Sequence, residues 1–330
     1  MTAGATSAWV WRHQGLLGTA VEIRIEAASE PDASDVAEQV QAAVVAEMIR
    51  LESVFSVHDA HSELRRWRGG MVAEDQLSAE LTDLLLEAAR WHGRTNAAFS
   101  PTTGALMRRW KAAEIEGRPP AAEELRSLVD AARHLPYRPP SALGSGAIER
   151  VGDCGDVDLN AIAKGRVVDL ACAAAWAGRD QRAGLASLMV NAGGDLCHVG
   201  VGDISVGVQD PRRPQDNAPP LTVIGLSNAA LATSGPTRRG FRIGDRWYGH
   251  VVDPRCGYPV DGALSASVMA PDCTTADVVA TVLSVLSPPD GLACVGGLAG
   301  AGVGCCVLDA AGHLWRNPHW EAAELRPWSP

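Results

Sequence analysis

The residues best equipped for chemistry lie between Val157 and Asp169, in the run Val-Asp-Leu-Asn-Ala-Ile-Ala-Lys-Gly-Arg-Val-Val-Asp. The run predicts the end of a strand at Val157, Asp158 and Leu159, then a helix that carries on to Trp176. On that reading Lys164 and the free amides of Asn160, Ala161 and Ile162 gather near a helix N-terminus. Orphan N–H donors plus one ammonium suit an anion, above all a phosphate. A carboxylate at Asp158 does not help bind an anion alone, but it makes sense if a divalent cation or a ligand hydroxyl is also there. An ordinary strand-to-helix turn, with a capping Asp and a solvated Lys, would use the same residues, so this run by itself does not decide.

A second oxygen-rich position falls on a predicted helix from Thr275 to Ser287. Asp277, Thr281 and Ser284 stand at i, i+4 and i+7 and so share one polar face, while Val278, Val282 and Val285 lie on a packed one. A carboxylate and a hydroxyl one turn apart suit a hard cation, because Mg²⁺ takes a few protein oxygens and leaves the rest to water and phosphate. Thr274 and Asp277 also match the S/T-x-x-D/E capping pattern, so a plain cap is the competing reading. A third candidate, His250, sits in His250-Val-Val-Asp253-Pro254 at the end of a predicted hairpin.

The elements that must hold these positions can be read from periodicity. Val21, Ile23 and Ile25 alternate with Glu22 and Arg24, which predicts an opening strand over Ala20–Ala27. Val36, Val40, Val44, Met48 and Leu51 recur at helical spacing. Ser78 caps a second helix with Leu81, Leu84, Leu85, Ala88 and Trp91 as its buried stripe. Phe55–Trp67 reads as irregular at first, Asn96–Leu106 as a loop, and Pro119–Pro140 as one more helix with a linker. From about Gly144 the chain becomes strand-rich, with hairpin signals at Gly193-Gly194 and Gly244-Asp245 and a closing hairpin around Asp309–Gly312. The expectation is one unit over 1–330, helix-rich to about 145 and strand-rich from about 146.

Bulk properties narrow the function classes. Of 330 residues, 39 are acidic and 29 basic, for a net charge of -10, which disfavours a nucleic-acid or anionic-membrane surface. No window approaches a membrane span, and Ala8, Trp9, Val10 and Trp11 form an apolar patch too short for a signal peptide. With no lipobox seen either, the expected location is cytoplasmic. The eight cysteines show no C-x-x-C pair and no zinc-like spacing, and most sit in apolar runs as structural thiols.

Five motifs occur in a fixed order: D-L-x-x-x-A-K-G at Asp158–Gly165, N-A-G-G-D at Asn191–Asp195, T-S-G at Thr233–Gly235, H-x-x-D-P-x-x-G-x-P at His250–Pro259, and A-D-x-x-A-T at Ala276–Thr281. Together with Leu17-Gly18-Thr19, Ser62-Glu63-Leu64 and Ala98-Phe99-Ser100-Pro101-Thr102, this set resembles the ApbE family, the FAD:protein FMN transferases. The resemblance implies an α+β fold of antiparallel sheets flanked by helices, of the T-fold-like kind. It implies FAD as substrate, Mg²⁺, release of AMP, and FMN joined through a phosphoester to a Thr or Ser of a partner flavoprotein; the missing signal segment makes a cytosolic partner the expectation. The metal would be held by the Ala161 carbonyl, Asp277 and Thr281. FAD contacts would come from Leu17, Ala98, Phe99, Ser100, Asp158, Lys164 and Val251. Lys164, Asp277 and His250 would act in catalysis, with His250 steering or deprotonating the incoming hydroxyl or else ordering its loop through Asp253. Departures from the family pattern are Leu17 for a usual Met, Ser100 for Asp, Cys256 for Thr, and Pro236-Thr237 for an acidic-aromatic pair, with His58 loosely aligned where an aromatic often sits. An FAD pyrophosphatase and a non-catalytic flavin carrier are the alternatives.

Overall fold

The structure, a computed structural model, describes residues 6–29, 31–140, 148–178, 184–213, 215, 217–236, 239–298 and 302–326. Strand β1 (Thr6–Leu16) turns at Leu17-Gly18 into β2 (Thr19–Ala28). Helices α1 (Ala33–Phe55), α2 (Glu63–Arg68), α3 (Ala79–Arg94), α4 (Gly104–Glu116) and α5 (Ala122–Ala132) follow. The short pair β3 (Tyr137–Arg138) and β4 (Glu149–Arg150) precedes α6 (Asn160–Ala177). Next come β5 (Leu185–Ala192), β6 (Asp195–Gly200), β7 (Ile204–Val208), β8 (Thr222–Leu226), β9 (Ala229–Ser234), β10 (Gly240–Ile243), β11 (Arg246–Gly249) and β12 (Ala263–Ala270). The chain ends with α7 (Cys273–Val285), α8 (Pro288–Leu298), β13 (Gly304–Asp309), β14 (Leu314–Arg316), α9 (Pro318–Ala323) and β15 (Glu324–Arg326).

Among the described residues the main sheet has eight strands in the order β1-β2-β5-β6-β9-β12-β13-β14, each neighbouring pair antiparallel. Strand alternation divides its side chains between two layers. Leu188, Val190 and Val268 pack with α1, α6 and α7, through residues such as Val44, Val168 and Val279. Met189, Leu196 and Leu231 turn the other way, onto Ile224 and Leu226 of the small sheet β15-β8-β7 and onto Trp320 of α9. A separate cluster joins Trp110 of α4 and Leu125 of α5 to Phe241 and Ile243 of β10. This is the antiparallel sheet flanked by helices that the sequence predicts. Among the described residues no helix is long and apolar enough to cross a membrane.

Several elements differ from expectation, each for a physical reason. The apolar patch around Trp9 is a full strand, β1: Trp9 and Trp11 pack against the core while Val10 is exposed. Residues 157–159 form no strand, because the Asp158 N–H bonds to the Pro101 carbonyl across a loop instead of joining a ladder. Inside the stretch read as irregular, Ser62 starts α2 by accepting the Arg65 N–H at 3.1 Å. The loop from Asn96 passes into α4 already at Gly104. Residues 141–147, which include the expected start of the strand-rich part, lie outside the described residues, as does Thr237.

His198 on β6 is 1% exposed, and neither ring nitrogen has a hydrogen-bond partner. Burial holds its pKa below the usual histidine value, against the pull of Glu26 and Asp203, with Arg24 adding to the lowering. The unfolded chain therefore takes up the proton more readily, so stability is full at neutral pH and falls as pH drops through the unfolded value. Thermal unfolding from about pH 7.5 to about pH 5.5 should show that fall, and His198→Leu should flatten it. The same substitution removes two unsatisfied buried nitrogens and should add about 1 kcal/mol at neutral pH. An unchanged slope would mean that His198 is not the source of the pH dependence.

Candidate active site

Helix α6 starts where two loops meet. Asp158 Oδ1 accepts the Asn160 N–H at 2.9 Å, and the Asp158 N–H donates to the Pro101 carbonyl at 2.7 Å. This ties the helix start to the loop carrying Ala98, Phe99 and Ser100. The loop has its own bracing: the Phe99 N–H donates to Thr95 Oγ1 at 3.1 Å, Ser100 Oγ pairs with Thr102 Oγ1 at 2.8 Å, and Thr102 donates onward to the Ala132 carbonyl at 2.8 Å. Burial raises the Asp158 carboxyl above its ordinary range, while the Asn160 N–H and the charges of Arg68 and His58 pull it back.

One turn on, α6 crosses α7. A Cβ at Gly165 would lie 2.4 Å from the Cys273 carbonyl oxygen, so the approach tolerates glycine alone. At this crossing the Gly165 N–H donates to Asp277 Oδ2 at 3.2 Å. Asp277 is 7% exposed, which corrects the polar-face expectation. It is not a cap either: Asp272 caps α7, its Oδ1 accepting the Thr275 N–H at 2.7 Å, and Thr274 is already inside the helix. Burial raises the Asp277 carboxyl, opposed by the Lys164 charge and the Gly165 N–H. Thr281 follows one turn later, half-buried, whereas Ser284 is spent on its own helix, donating to the Ala280 carbonyl at 3.0 Å.

The Lys164 ammonium is ion-paired with Asp195, which is 1% exposed at the start of β6. Asp195 closes the N-A-G-G-D turn, and the sequence reading gave it no role; its signal was an acidic residue at the end of a glycine pair. That turn packs on the Leu17 turn. The Gly193 N–H donates to the Ala20 carbonyl at 3.0 Å, and a Cβ at Gly193 would come within 2.4 Å of Thr19 Oγ1.

His250 enters from the end of the β10–β11 hairpin, half-buried. Its Nδ1 lies 3.2 Å from the Arg239 carbonyl oxygen. A carbonyl only accepts, so Nδ1 carries the hydrogen and Nε2 keeps a free lone pair. Burial lowers the His250 pKa, the Arg239 bond opposes, and the charges of Arg239 and Lys164 lower it further. Asp253 does not hold His250: it accepts the Arg255 N–H at 2.9 Å and the Arg255 guanidinium at 2.9 and 2.8 Å. Val251 is buried, and its carbonyl accepts the Val260 N–H at 2.9 Å.

Lys164, Asp195, Asp277 and His250 therefore form one electrostatic group. Ala98–Ser100 connect to it through Pro101 and Asp158, and Leu17 through the Gly193 turn. Two open clefts, of about 500 and 470 Å³, are lined by other residues, Arg90, His92 and Arg133 in the first and Arg166, Asp169 and Asp272 in the second; none of the four residues of the group lines either.

Fold and site together define an α+β protein in which one ammonium, two buried carboxylates and an imidazole gather around a strand end and a helix crossing. The chain belongs to the ApbE family, which it matches over residues 17–302. It is similar to the FAD:protein FMN transferase of Vibrio cholerae, 30% identical over 249 residues that span 72% of this chain and 70% of that protein. The Haemophilus influenzae protein of the same name is 29% identical over 244 residues, spanning 70% of this chain and 68% of its own. Among solved structures, the ApbE protein of Thermotoga maritima superposes with a TM-score of 0.80 at 25% identity, covering 96% of this chain and 99% of that one. The flavin transferase ApbE from Vibrio cholerae shares the fold at a TM-score of 0.73 and 22% identity, over 97% and 100% of the two chains.

The crossing makes a direct prediction. Gly165→Ala should destabilise the protein by about 1–3 kcal/mol in urea unfolding, because backbone meets the new methyl. Gly296→Ala on α8, where a Cβ meets nothing within 4 Å, should be neutral or slightly stabilising. Equal effects at the two sites would contradict the close approach.

Proposed function

We propose that the chain is a Mg²⁺-dependent FAD:protein FMN transferase, moving FMN from FAD to a Thr or Ser hydroxyl of a partner flavoprotein with release of AMP. The observation that carries this reading is the convergence on Lys164 of Asp195, Asp277 and His250, in a member of a family whose relatives bear that name. The residues present fit the metal. Asp277 is a buried carboxylate with a single N–H donor beside it. In an α-helix the carbonyl of residue i lies at the amide of i+4, which brings the Ala161 carbonyl to the same Gly165 N–H that Asp277 meets. Thr281 adds a hydroxyl one turn along α7. Carbonyl, carboxylate and hydroxyl make a hard oxygen set. It contains one acidic side chain, in keeping with the absence, among the described residues, of any cluster of three His, Cys, Asp or Glu.

The bound cation would neutralise charge on the pyrophosphate oxygens. The remaining work falls to the chain. Leu17, the backbone of Ala98, Phe99 and Ser100, Asp158 and Val251 hold FAD, and Lys164 steadies the departing phosphate. His250 Nε2 takes the proton of the acceptor hydroxyl as its oxygen bonds to the FMN phosphorus, and the P–O bond to AMP breaks with its electron pair leaving on AMP. Burial lowers the His250 pKa and so favours the neutral imidazole, the form that can accept that proton.

Incubation with FAD, Mg²⁺ and a candidate acceptor should yield AMP by chromatography and an FMN adduct in the acceptor's intact mass. AMP without an adduct would mean a pyrophosphatase, and no AMP under any condition would leave a flavin carrier. Asp277→Asn keeps an acceptor for the Gly165 N–H and removes the charge. It should lower AMP release at least about 100-fold with little change in melting temperature, since a metal's electrostatic contribution is worth several kcal/mol. Full activity in that variant would remove Asp277 from the ligand set.

A further inference from the structure

Asp169 sits five residues beyond Lys164 on α6, on the side of the crossing away from the phosphate-directed group, among Arg166, Cys172, Trp176 and Asp272 of the smaller cleft. Both of its carboxylate oxygens reach into the first turn of α7. Oδ1 accepts the Cys273 N–H at 2.7 Å, and Oδ2 accepts the Thr274 N–H at 2.8 Å and the Thr274 hydroxyl at 2.6 Å. First-turn amides have no acceptor within their own helix, and the positive end of the helix favours an anion there. Helix α7 is thus capped twice: by Asp272 at its own N-cap, and by Asp169 from the helix it crosses.

The two caps do different things. Asp272 lets α7 start but cannot fix where α7 stands against α6. Gly165 sets how near the helices come, and the apolar packing of Val278, Val279 and Val282 in the core is non-directional. Asp169 supplies the second fixed point, and its three bonds are directional. Together with that packing, those two points set where Asp277 and Thr281 stand relative to the Ala161 carbonyl.

We infer that Asp169 is a positioning residue for the metal ligands: it locks α7 onto α6 so that oxygens from both helices meet at one cation. This rests on the function proposed above. Both Asp169 oxygens are taken up by donors of α7, so its loss should act on metal affinity through α7 and leave flavin binding alone. Groups that orient metal ligands typically contribute about 10- to 100-fold in affinity.

The experiment uses the full chain with Asp169→Ala, Asp169→Asn and Thr274→Val. Mg²⁺ affinity is measured calorimetrically with FAD present and as the Mg²⁺ half-saturation of AMP release; FAD affinity without Mg²⁺ is measured by flavin fluorescence. Asp169→Ala should weaken Mg²⁺ by about 10- to 100-fold, with AMP release largely recovered at saturating Mg²⁺ and FAD affinity unchanged. Asp169→Asn, which keeps one carbonyl acceptor, should fall between it and the wild type. Thr274→Val deletes one hydrogen bond within the same volume and should shift Mg²⁺ the same way by less; it decides the matter if Asp169→Ala does not fold. A lower melting temperature and lower turnover with unchanged Mg²⁺ half-saturation would mark a merely structural residue and overturn the inference. A wild-type chain with no Mg²⁺ requirement would sink the proposed function and this inference with it, whereas a Mg²⁺-requiring wild type with unshifted variants would sink this inference alone.

Discussion

The site depends on how closely α6 approaches α7. A side chain at Gly165 would hold the helices apart, and the Gly165 amide could then no longer reach Asp277. The interior is packed too densely for a shift of that size to stay local, so widening the crossing would also move the sheet face that both helices cover. The glycine in A-K-G is therefore a requirement of geometry, and the lysine before it is delivered to its partners by the same crossing.

What the crossing assembles is electrostatically unbalanced. Asp195 and Asp277 are both buried, and one ammonium, Lys164, serves the two. His250 does little to redress the balance, since burial and the charges of Arg239 and Lys164 all disfavour its protonated form. Removing a carboxylate from water is costly unless a cation or a proton compensates it. The raised Asp277 carboxyl expresses that tension within the chain alone. A divalent cation would relieve it while leaving Lys164 to Asp195 and to an incoming phosphate, and this is the physical support for the metal in the proposed reaction.

Much of this was legible in the sequence, and the remainder was not for identifiable reasons. Local patterns were reliable where one residue type decides local structure: Ser78 accepts the Leu81 N–H as a cap, and Gly244-Asp245 turns the β10–β11 hairpin. The ordered motifs brought Lys164, Asp277 and His250 to one place, although each motif alone was weak. The failures lie where tertiary contacts override local preference. Val157–Leu159 has strand composition but spends its amide on Pro101. Thr274 and Asp277 satisfy a capping pattern, yet Asp169 claims Thr274 and the crossing claims Asp277. Asp169 and Asp195 close two of the quoted runs yet show no role there, because their partners lie on other elements. A one-dimensional reading sees a carboxylate's spacing and not the distant amide or ammonium it will meet.

The backbone carries a further trace of use. Among the described residues, the non-glycine positions with positive φ are Leu17 at 54°, Asn96 at 49°, Ala97 at 60° and Asn228 at 45°. Asparagine visits this region readily; leucine and alanine do so at a cost of about 1–2 kcal/mol. Leu17 and Ala97 fall in the two segments that would hold FAD, and neighbouring bonds over-determine both. The Ala97 N–H donates to the His92 carbonyl at 2.9 Å, and the Ala98 N–H to the Thr95 carbonyl at 3.1 Å. The Leu17 turn is fixed from outside by the Gly193 turn, whose own aspartate pairs with Lys164. Strain maintained at both of these turns, each braced by hydrogen bonds, is what the proposed dinucleotide site would require: a backbone bent before the ligand arrives, with its conformational penalty already met in folding.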